Sequence, residues 1–183
     1  PSDLNKYWLM RRIFDNCTNL ATVNFNNNLK TIGNYAFRNN DALSEIMIPN
    51  NVATIGNYAF QDSDALTTVK ISDSVTTIGQ YIFEHCDALK DVKLGSGLTK
   101  IPLYAFNLCP ELQKIVLPYR ITTVDANAFT NCTKLTEVII PRGTTTISAS
   151  AFSYPDRPTI YGISGTYAET YANQIGATFV NRE

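Results

Sequence analysis

Apolar residues recur along this chain with a period of 23. Phe14, Phe37, Phe60, Phe83, Phe106, Phe129 and Phe152 follow one another without a slip and account for seven of the nine phenylalanines. Six residues after the first six of them comes a leucine: Leu20, Leu43, Leu66, Leu89, Leu112 and Leu135. Three further on stand Val23, Ile46, Val69, Val92, Ile115 and Val138, and two beyond those Phe25, Ile48, Ile71, Leu94, Leu117 and Ile140. Two more rows complete the unit: Leu29, Val52, Val75, Leu98 and Ile121, broken by Thr144, then Ile32, Ile55, Ile78, Ile101, Val124 and Ile147. One unit reads L-x-x-V-x-I-x-x-x-V-x-x-I-G-x-x-A-F-x-x-C-x-x. Its L-x-x-V-x-I portion alternates with the two-residue period of a strand that buries one face. A fixed period between about 20 and 50 residues marks a stacked repeat protein. A single unit cannot bury its own apolar side, so each rung needs neighbours. In-register strands then form a parallel sheet with rungs about 4.8 Å apart. With no insertion between Phe14 and Phe152, the pattern predicts an even, gently curved solenoid with the sheet on its concave face.

Both ends depart from the period. At the C-terminal end Pro155 takes the Cys position and Pro158 the Leu position. Residues 159–162 (TIYG) read as a short strand. Thr166 and Glu169 then have the spacing of a capping box, in which the Thr hydroxyl meets the third amide and the Glu returns to the cap amide. Tyr167, Tyr171 and Ile175, with Ala168 and Ala172, make one helical face. Gly176 stops the helix, and residues 177–180 read as a last strand. Such a module is expected to cover the open core and block end-to-end pairing. At the N-terminal end Leu9, Ile13 and Phe14 already match the repeat, so the array begins partway through a rung, and Tyr7 and Trp8 are candidates to plug it. No secretory leader is visible, and Pro1 is read as the start of a mature or truncated chain.

The repeat, fullest in VTTIGQYIFEHCDALKDVKL at residues 75–94, resembles BspA-like leucine-rich-repeat proteins, as does the tail TIYGISGTYAETYANQIGATFV at 159–180. The likeness spans about residues 9–180. It implies a leucine-rich-repeat solenoid with a parallel β-sheet on the concave face, an irregular or short-helical convex side and a C-terminal strand–helix–strand cap. The divisions it suggests are an N-terminal edge at 1–8, the array at 9–158 and the cap at 159–183. It further implies a bacterial cell-surface or secreted protein, with adhesion to host matrix proteins such as fibronectin and fibrinogen known for some members. The resemblance brings no catalytic motif and no cofactor.

Composition narrows the partners. The net charge of the 183 residues is −1, so no basic field invites nucleic acid. No run of roughly 18 apolar residues offers a membrane span. Charged residues make up only 17%, a balance that suits an extracellular surface. Cys17, Cys86, Cys109 and Cys132 share one column, with Asn40 and Ser63 on the rungs between. Metal sites want close pairs such as C-x-x-C, which are absent. Packed free thiols are the expected reading. A bridge such as Cys86–Cys109 or Cys109–Cys132 would have to join side chains that run parallel.

The residues between the buried strand positions point out from the sheet. One outward row is Asn24, Met47, Lys70, Lys93, Val116 and Ile139; its neighbour is Thr22, Glu45, Thr68, Asp91, Lys114 and Glu137. Val116 and Ile139 are expected to lie exposed on adjacent rungs. Together Lys93, Lys114, Val116, Tyr119, Glu137, Ile139 and Arg142 form a candidate ligand-binding patch with an apolar centre and a charged rim. The same apolar pair could serve a contact between copies. Tyr35, Tyr58, Tyr81 and Tyr104 form a second ladder, read as shell packing in preference to a sugar-stacking platform. His85 beside Cys86 is weighed as a dyad and set aside, because adjacent residues in a turn diverge. Asp62 and Asp64 fall short of the oxygens calcium requires. The sequons at Asn16 and Asn131 are read as repeat chemistry. The reading is a non-enzymatic binding protein for a host protein or glycan, working through the concave face. The alternative is a structural spacer or targeting module of a larger surface protein. The two part on whether changing the outward rows abolishes binding.

Overall fold

The computed structural model describes residues 8–9, by their backbone, 11–152 and 157–182. The side chains of Tyr7, Trp8 and Leu9, and Pro155, lie outside the described residues. The chain winds as a parallel-strand solenoid of about six turns. The predicted strand row is present as β3 (Glu45–Met47), β5 (Thr68–Lys70), β7 (Asp91–Lys93), β9 (Lys114–Val116) and β11 (Glu137–Ile139). A second row was not foreseen: β1 (Trp8–Leu9), β2 (Thr31–Ile32), β4 (Thr54–Ile55), β6 (Thr77–Ile78), β8 (Lys100–Ile101), β10 (Thr123–Val124) and β12 (Thr146–Ile147). These strands are two residues long, too short for a period of two to show itself in sequence. Every pairing is parallel, and within the array each residue faces its counterpart 23 positions on, as in Ile46↔Val69↔Val92 and Ile115↔Val138.

The side opposite the strands is turn rather than helix, and a third ladder of backbone bonds holds it. The amide of each Phe donates to the carbonyl one rung ahead, for example Phe37 to Ala59 at 2.8 Å and Phe106 to Ala128 at 2.8 Å. Beneath this ladder the Phe rings stack, with centroids 4.9–5.4 Å apart from Phe14 to Phe152. Phe37, Phe60, Phe83, Phe106 and Phe129 are wholly buried, as are the Leu43 to Leu112 and Ile46 to Val138 rows except for Val92.

The Cys column has a specific task. From Phe14 to Phe106 the Phe amide is used in the ladder, but the Phe carbonyl is left for a side chain 26 residues on. Cys86, Cys109 and Cys132 donate their Sγ–H to the carbonyls of Phe60, Phe83 and Phe106 at 3.3, 3.1 and 3.1 Å. Ser63 Oγ does the same for Phe37, and Asn40 Nδ2 for Phe14. A buried carbonyl without a donor costs about 1–3 kcal/mol, which explains why donors (Asn40, Ser63, Cys86, Cys109 and Cys132) occupy these five positions. The four thiols are free. Thr144, the break in the Leu29 row, is buried and donates to the Ile121 carbonyl at 2.9 Å, so its hydroxyl is paired.

The array divides in its middle. No ladder joins β6 to β8 or β7 to β9; the strands pair as two blocks, β1–β7 and β8 onward. At the short-strand row the cause is visible. Gly56, Asp125 and Ser148 donate to the rung before them (Ile32, Ile101 and Val124), but their counterpart Pro102 has no N–H to donate to Ile78. The turn ladder and the Phe stack cross the division unbroken, His85 to Asn107 at 3.0 Å. The Phe83 and Phe106 rings are tilted by 21°, the largest tilt in their column. The rungs therefore open on the strand side and stay closed on the turn side. Gly95 and Gly97 lie just there. A Cβ on Gly95 would stand 2.0 Å from the Ser72 carbonyl oxygen, and the Ser96 amide donates to Asp73 at 2.7 Å.

The C-terminal end is β13 (Thr159–Gly162), α1 (Tyr167–Ile175) and β14 (Phe179–Asn181). The helix covers the end of the Phe column: Tyr171 is buried, meets Phe152 edge-on at 6.2 Å and donates to the Ser148 carbonyl at 3.3 Å. Gly176 ends the helix at φ 67°. One expectation needs correction. Thr166 makes no side-chain cap; its hydroxyl donates to the Ile163 carbonyl, and Glu169 accepts from Gly165, one residue before the cap, at 2.7 Å. The αL conformation of Gly165 (φ 78°) brings its amide, rather than that of Thr166, within reach. The two expected cap strands are present: β13 and β14 extend the sheet, leaving β14 as a short edge that carries Asn181 and is followed by Arg182; polar and charged residues on a short edge discourage further pairing.

Two stability outcomes follow from the donor column and the glycine pair, each measured by chemical denaturation. Cys109→Ser keeps a donor for the Phe83 carbonyl and is expected to be near neutral, whereas Cys109→Val costs about 1–3 kcal/mol. Gly95→Ala, forced against the Ser72 backbone, costs about 1–3 kcal/mol; an unchanged midpoint for either costly variant would contradict the arrangement described.

Candidate functional site

The outward residues of β3, β5, β7, β9 and β11 stand in two columns, Glu45–Thr68–Asp91–Lys114–Glu137 and Met47–Lys70–Lys93–Val116–Ile139. The same face continues through Thr159 and Tyr161 of β13. The loop after each strand adds Asn50, Asp73, Ser96, Tyr119 and Arg142. Thr22 and Asn24 lie in a stretch without strand, so the columns begin at the second rung.

The structure brings part of the candidate patch together. Val116 and Tyr119 are 51% and 70% exposed, large values for apolar side chains. Lys114 Nζ and Glu137 Oε2 are 2.7 Å apart beside them. The Lys114 hydrogen bond holds the Glu137 carboxyl below its ordinary value. Ile139 differs from expectation: it is half-buried, because it lies in register between Val116 and Tyr161. Tyr161 is in turn covered by the Arg182 guanidinium, 4.8 Å from its ring centroid. Arg142 is exposed in its loop. Lys93 is set apart from the rest, because it stands on β7, across the division of the sheet from Lys114 on β9. A cleft of about 410 Å³ runs between the two strands, lined by Lys90, Asp91, Val92, Gln113, Lys114 and Val116.

Lys93 joins another surface. A groove of about 750 Å³ runs along Met47, Lys70 and Lys93, with Ile48 and Ile71 lining it and the loops at Asn50, Asn51, Ser72 and Asp73 as its wall. Met47 is 60% exposed. Met47 and Lys70 belong to an outward row visible in the sequence, but only the strand register and the loop wall show that they share a concavity.

The other candidates resolve physically. Tyr58 stacks on Tyr35 and on Tyr81 at 4.7 Å, with Tyr104 4.9 Å beyond Tyr81, so the faces of the inner rings are covered by each other and a sugar has only edges to meet. The outer face of the ladder at Tyr35 is approached by the Arg11, Arg12 and Arg38 guanidinia at 5.0–5.7 Å. Cys86 is buried against the Phe60 carbonyl, and burial pushes its thiol well up, which disfavours the thiolate a nucleophile needs. His85 beside it is exposed. Burial raises the Asp62 and Asp64 carboxyls, and neighbouring Asp87 and Asp41 raise Asp64 further. Among the described residues no group of three or more His, Cys, Asp or Glu is placed to hold a metal.

Comparison with known proteins places the chain. The sequence profile of the BspA type leucine-rich repeat region matches residues 7–109 and 54–163, with six copies. The chain belongs to the BspA-type leucine-rich repeat family. Among solved structures, a leucine rich cell surface protein from Faecalibacterium prausnitzii A2-165 superposes with a TM-score of 0.68 at 25% identity, over 92% of this chain and 60% of that one. A leucine-rich repeat protein from Eubacterium ventriosum ATCC 27560 gives 0.62 at 29% identity, over 72% of this chain and 38% of that one. The pneumococcal vaccine antigen PcpA gives 0.70 at 17% identity, over 86% and 40%, a likeness of fold. This BspA-type chain thus spans between about two fifths and three fifths of the length of these structures. No curated protein matches it.

The ion pair within the BspA-type sheet gives a titration to check. Glu137 has its folded pKa depressed from 4.5 by Lys114, so the pair's stabilisation is present above that ordinary value and is lost as pH falls through the depressed one. Carbon-detected NMR of the Glu137 carboxyl should show Lys114→Gln returning its midpoint towards 4.5; an unmoved midpoint would show that Lys114 is not the cause.

Proposed function

We propose that this chain is a non-enzymatic binding module of a bacterial cell-surface or secreted protein, which holds a protein or glycan ligand of the host extracellular matrix on the outward face of its three-residue strands. The observation that carries the reading is the pair Val116 and Tyr119, apolar and exposed beside a formed Lys114–Glu137 pair, with Arg142 in the loop of the next rung. An apolar centre with a charged rim is the composition of interface cores and their surroundings. The polar side chains of the turn side are largely used within the array: Asn57 accepts from Gln80 N at 2.9 Å, and Glu84 accepts from Gln61 and Asn107 at 2.9 and 2.8 Å. The strand face is where side chains remain available. Surface location is supported by the F. prausnitzii neighbour, described as a cell surface protein. The buried, high-pKa thiols support a role without chemistry.

The test is binding of the purified chain to immobilised host matrix proteins and glycans, alongside Val116→Asp/Tyr119→Ala. Both positions are exposed, so the melting curve should stay within about 0.5 kcal/mol of the parent. The expected result is a ligand whose affinity falls about tenfold or more in the variant, the loss expected of interface anchors. Binding that the variant keeps would sink the strand-face reading and favour a spacer that holds other domains away from the cell.

A further inference from the structure

Stacking at one rung per 23 residues sets identical positions about 4.8 Å apart, so a charge repeated in a column opposes itself. Like charges directly opposite on paired strands are destabilising, and opposite ones stabilise. Several charged pairs of the array obey this: Lys114 faces Glu137 at 2.7 Å, Lys134 meets Glu111 at 2.6 Å and Arg38 meets Asp15 at 2.8 Å, each 23 residues apart. The Asp41–Asp64–Asp87 column on the turn side does not, and on the strand face Lys70 and Lys93 do not either. They are in register on β5 and β7, side by side on the outward face, and neither forms an ion pair among the described residues. Both line the groove of about 750 Å³ on the strand face, next to Met47.

The groups around the two lysines are already committed. Ser72 Oγ donates to the Pro49 carbonyl at 2.9 Å, and Asn51 Nδ2 to the Leu29 carbonyl at 3.0 Å. Asp73, the carboxylate on the groove wall, accepts the Ser96 amide at 2.7 Å. That bond is the first cause of its lowered pKa, with Lys93 a smaller one. Lys70 and Lys93 thus stand in register on adjacent strands, and the groove's carboxylate, Asp73, forms no ion pair with either. An anionic ligand in the groove would meet two positive charges on adjacent rungs. The sheet division just beyond β7 ends the groove at Lys93.

Resting on the reading of the strand face as a binding surface, we propose that the Met47–Lys70–Lys93 groove binds an acidic peptide segment of a protein partner, carboxylates to the two lysines and an adjacent aliphatic side chain to Met47. Met47 decides between kinds of anion. It is the exposed, deformable apolar contact typical of protein-binding surfaces, and a sulfated saccharide, whose ring C–H groups lie among sulfates and hydroxyls, offers it far less apolar surface than a leucine side chain.

The test uses fluorescence anisotropy with the full chain. The probes are a labelled peptide of alternating Asp, Leu and Glu, its Asn, Leu, Gln counterpart, and a labelled heparin hexasaccharide. The acidic peptide should bind saturably, more weakly at higher salt, and the neutral counterpart about tenfold less well or worse, roughly two exposed charge pairs. Lys93→Glu is the informative variant. It replaces a repulsive register pair with an attractive one, so it should melt at or above the parent temperature yet lose the peptide; the loss then cannot come from unfolding. Met47→Ala should weaken the peptide several-fold. The proposal is overturned if heparin binds more tightly than the peptide, if Lys93→Glu binds the peptide undiminished, or if no saturable binding occurs up to millimolar peptide. Failure here is separable from failure of the strand-face reading. A matrix ligand lost by Val116→Asp/Tyr119→Ala but kept by Lys93→Glu leaves that reading standing and removes this one.

Discussion

Each residue of the array meets its own counterpart, 23 positions away, one rung above and below. Everything else in the structure depends on that constraint. Three backbone ladders run along the stack, and the side chains between them have few partners other than their own repeats. An apolar column is self-compatible, so Phe stacks on Phe and Ile on Ile. A polar column must complement itself. Threonine does so by donating to the carbonyl one rung back, as Thr67 does to Ser44 and Thr122 to Thr99, and asparagine by accepting the next rung's amide, as Asn34 does from Asn57. A charged column gains where the sign alternates, as at Lys114 and Glu137, and opposes itself where the sign repeats, as at Asp41, Asp64 and Asp87. This is a physical reason for a chain rich in Asn and Thr with only 17% charged residues.

The same constraint stores strain. Two residues in each of six turns lie at positive φ: Asn16, Asn39, Asp62, His85, Leu108 and Asn131, and, four positions earlier, Arg12, the four tyrosines and Asn127. Asn and Asp tolerate that conformation; a bulky side chain pays about 1–2 kcal/mol for it. Tyr35, Tyr58, Tyr81 and Tyr104 are held at φ 55–60° all the same. Their rings stack within 2–11° of parallel, which offsets the cost through aromatic contact. The ladder is packing that happens to be visible, while the strand face carries side chains that packing does not use.

The division between the blocks of strands gives that face two regions. On one side lie Met47, Lys70 and Lys93 with a loop-walled groove; on the other Val116 and Tyr119 with an ion pair already formed. The turn ladder and the Phe stack hold the blocks together across the opening, while Pro102 withholds one of the strand-side bonds.

The sequence determined the rung. A column of seven phenylalanines, the apolar rows and the absence of insertions leave one way to bury each unit, so the solenoid, the outward columns and the C-terminal helix were legible. The strands of two residues were not, since two residues cannot display a period. Nor was the role of the Cys column: nothing local says that a thiol, hydroxyl or amide 26 residues on will find the Phe carbonyl. Ile139 reads like Val116 in sequence, and only its register with Tyr161 half-buries it. Lys93 and Lys114 look like diagonal neighbours on successive rungs, yet the missing ladder between β7 and β9 separates them and leaves Lys93 with Lys70 and Met47. Periodicity is a property of the sequence because every rung must bury the same face. Which outward side chains share a cavity is set by where the ladders close, and that is decided across rungs, in three dimensions.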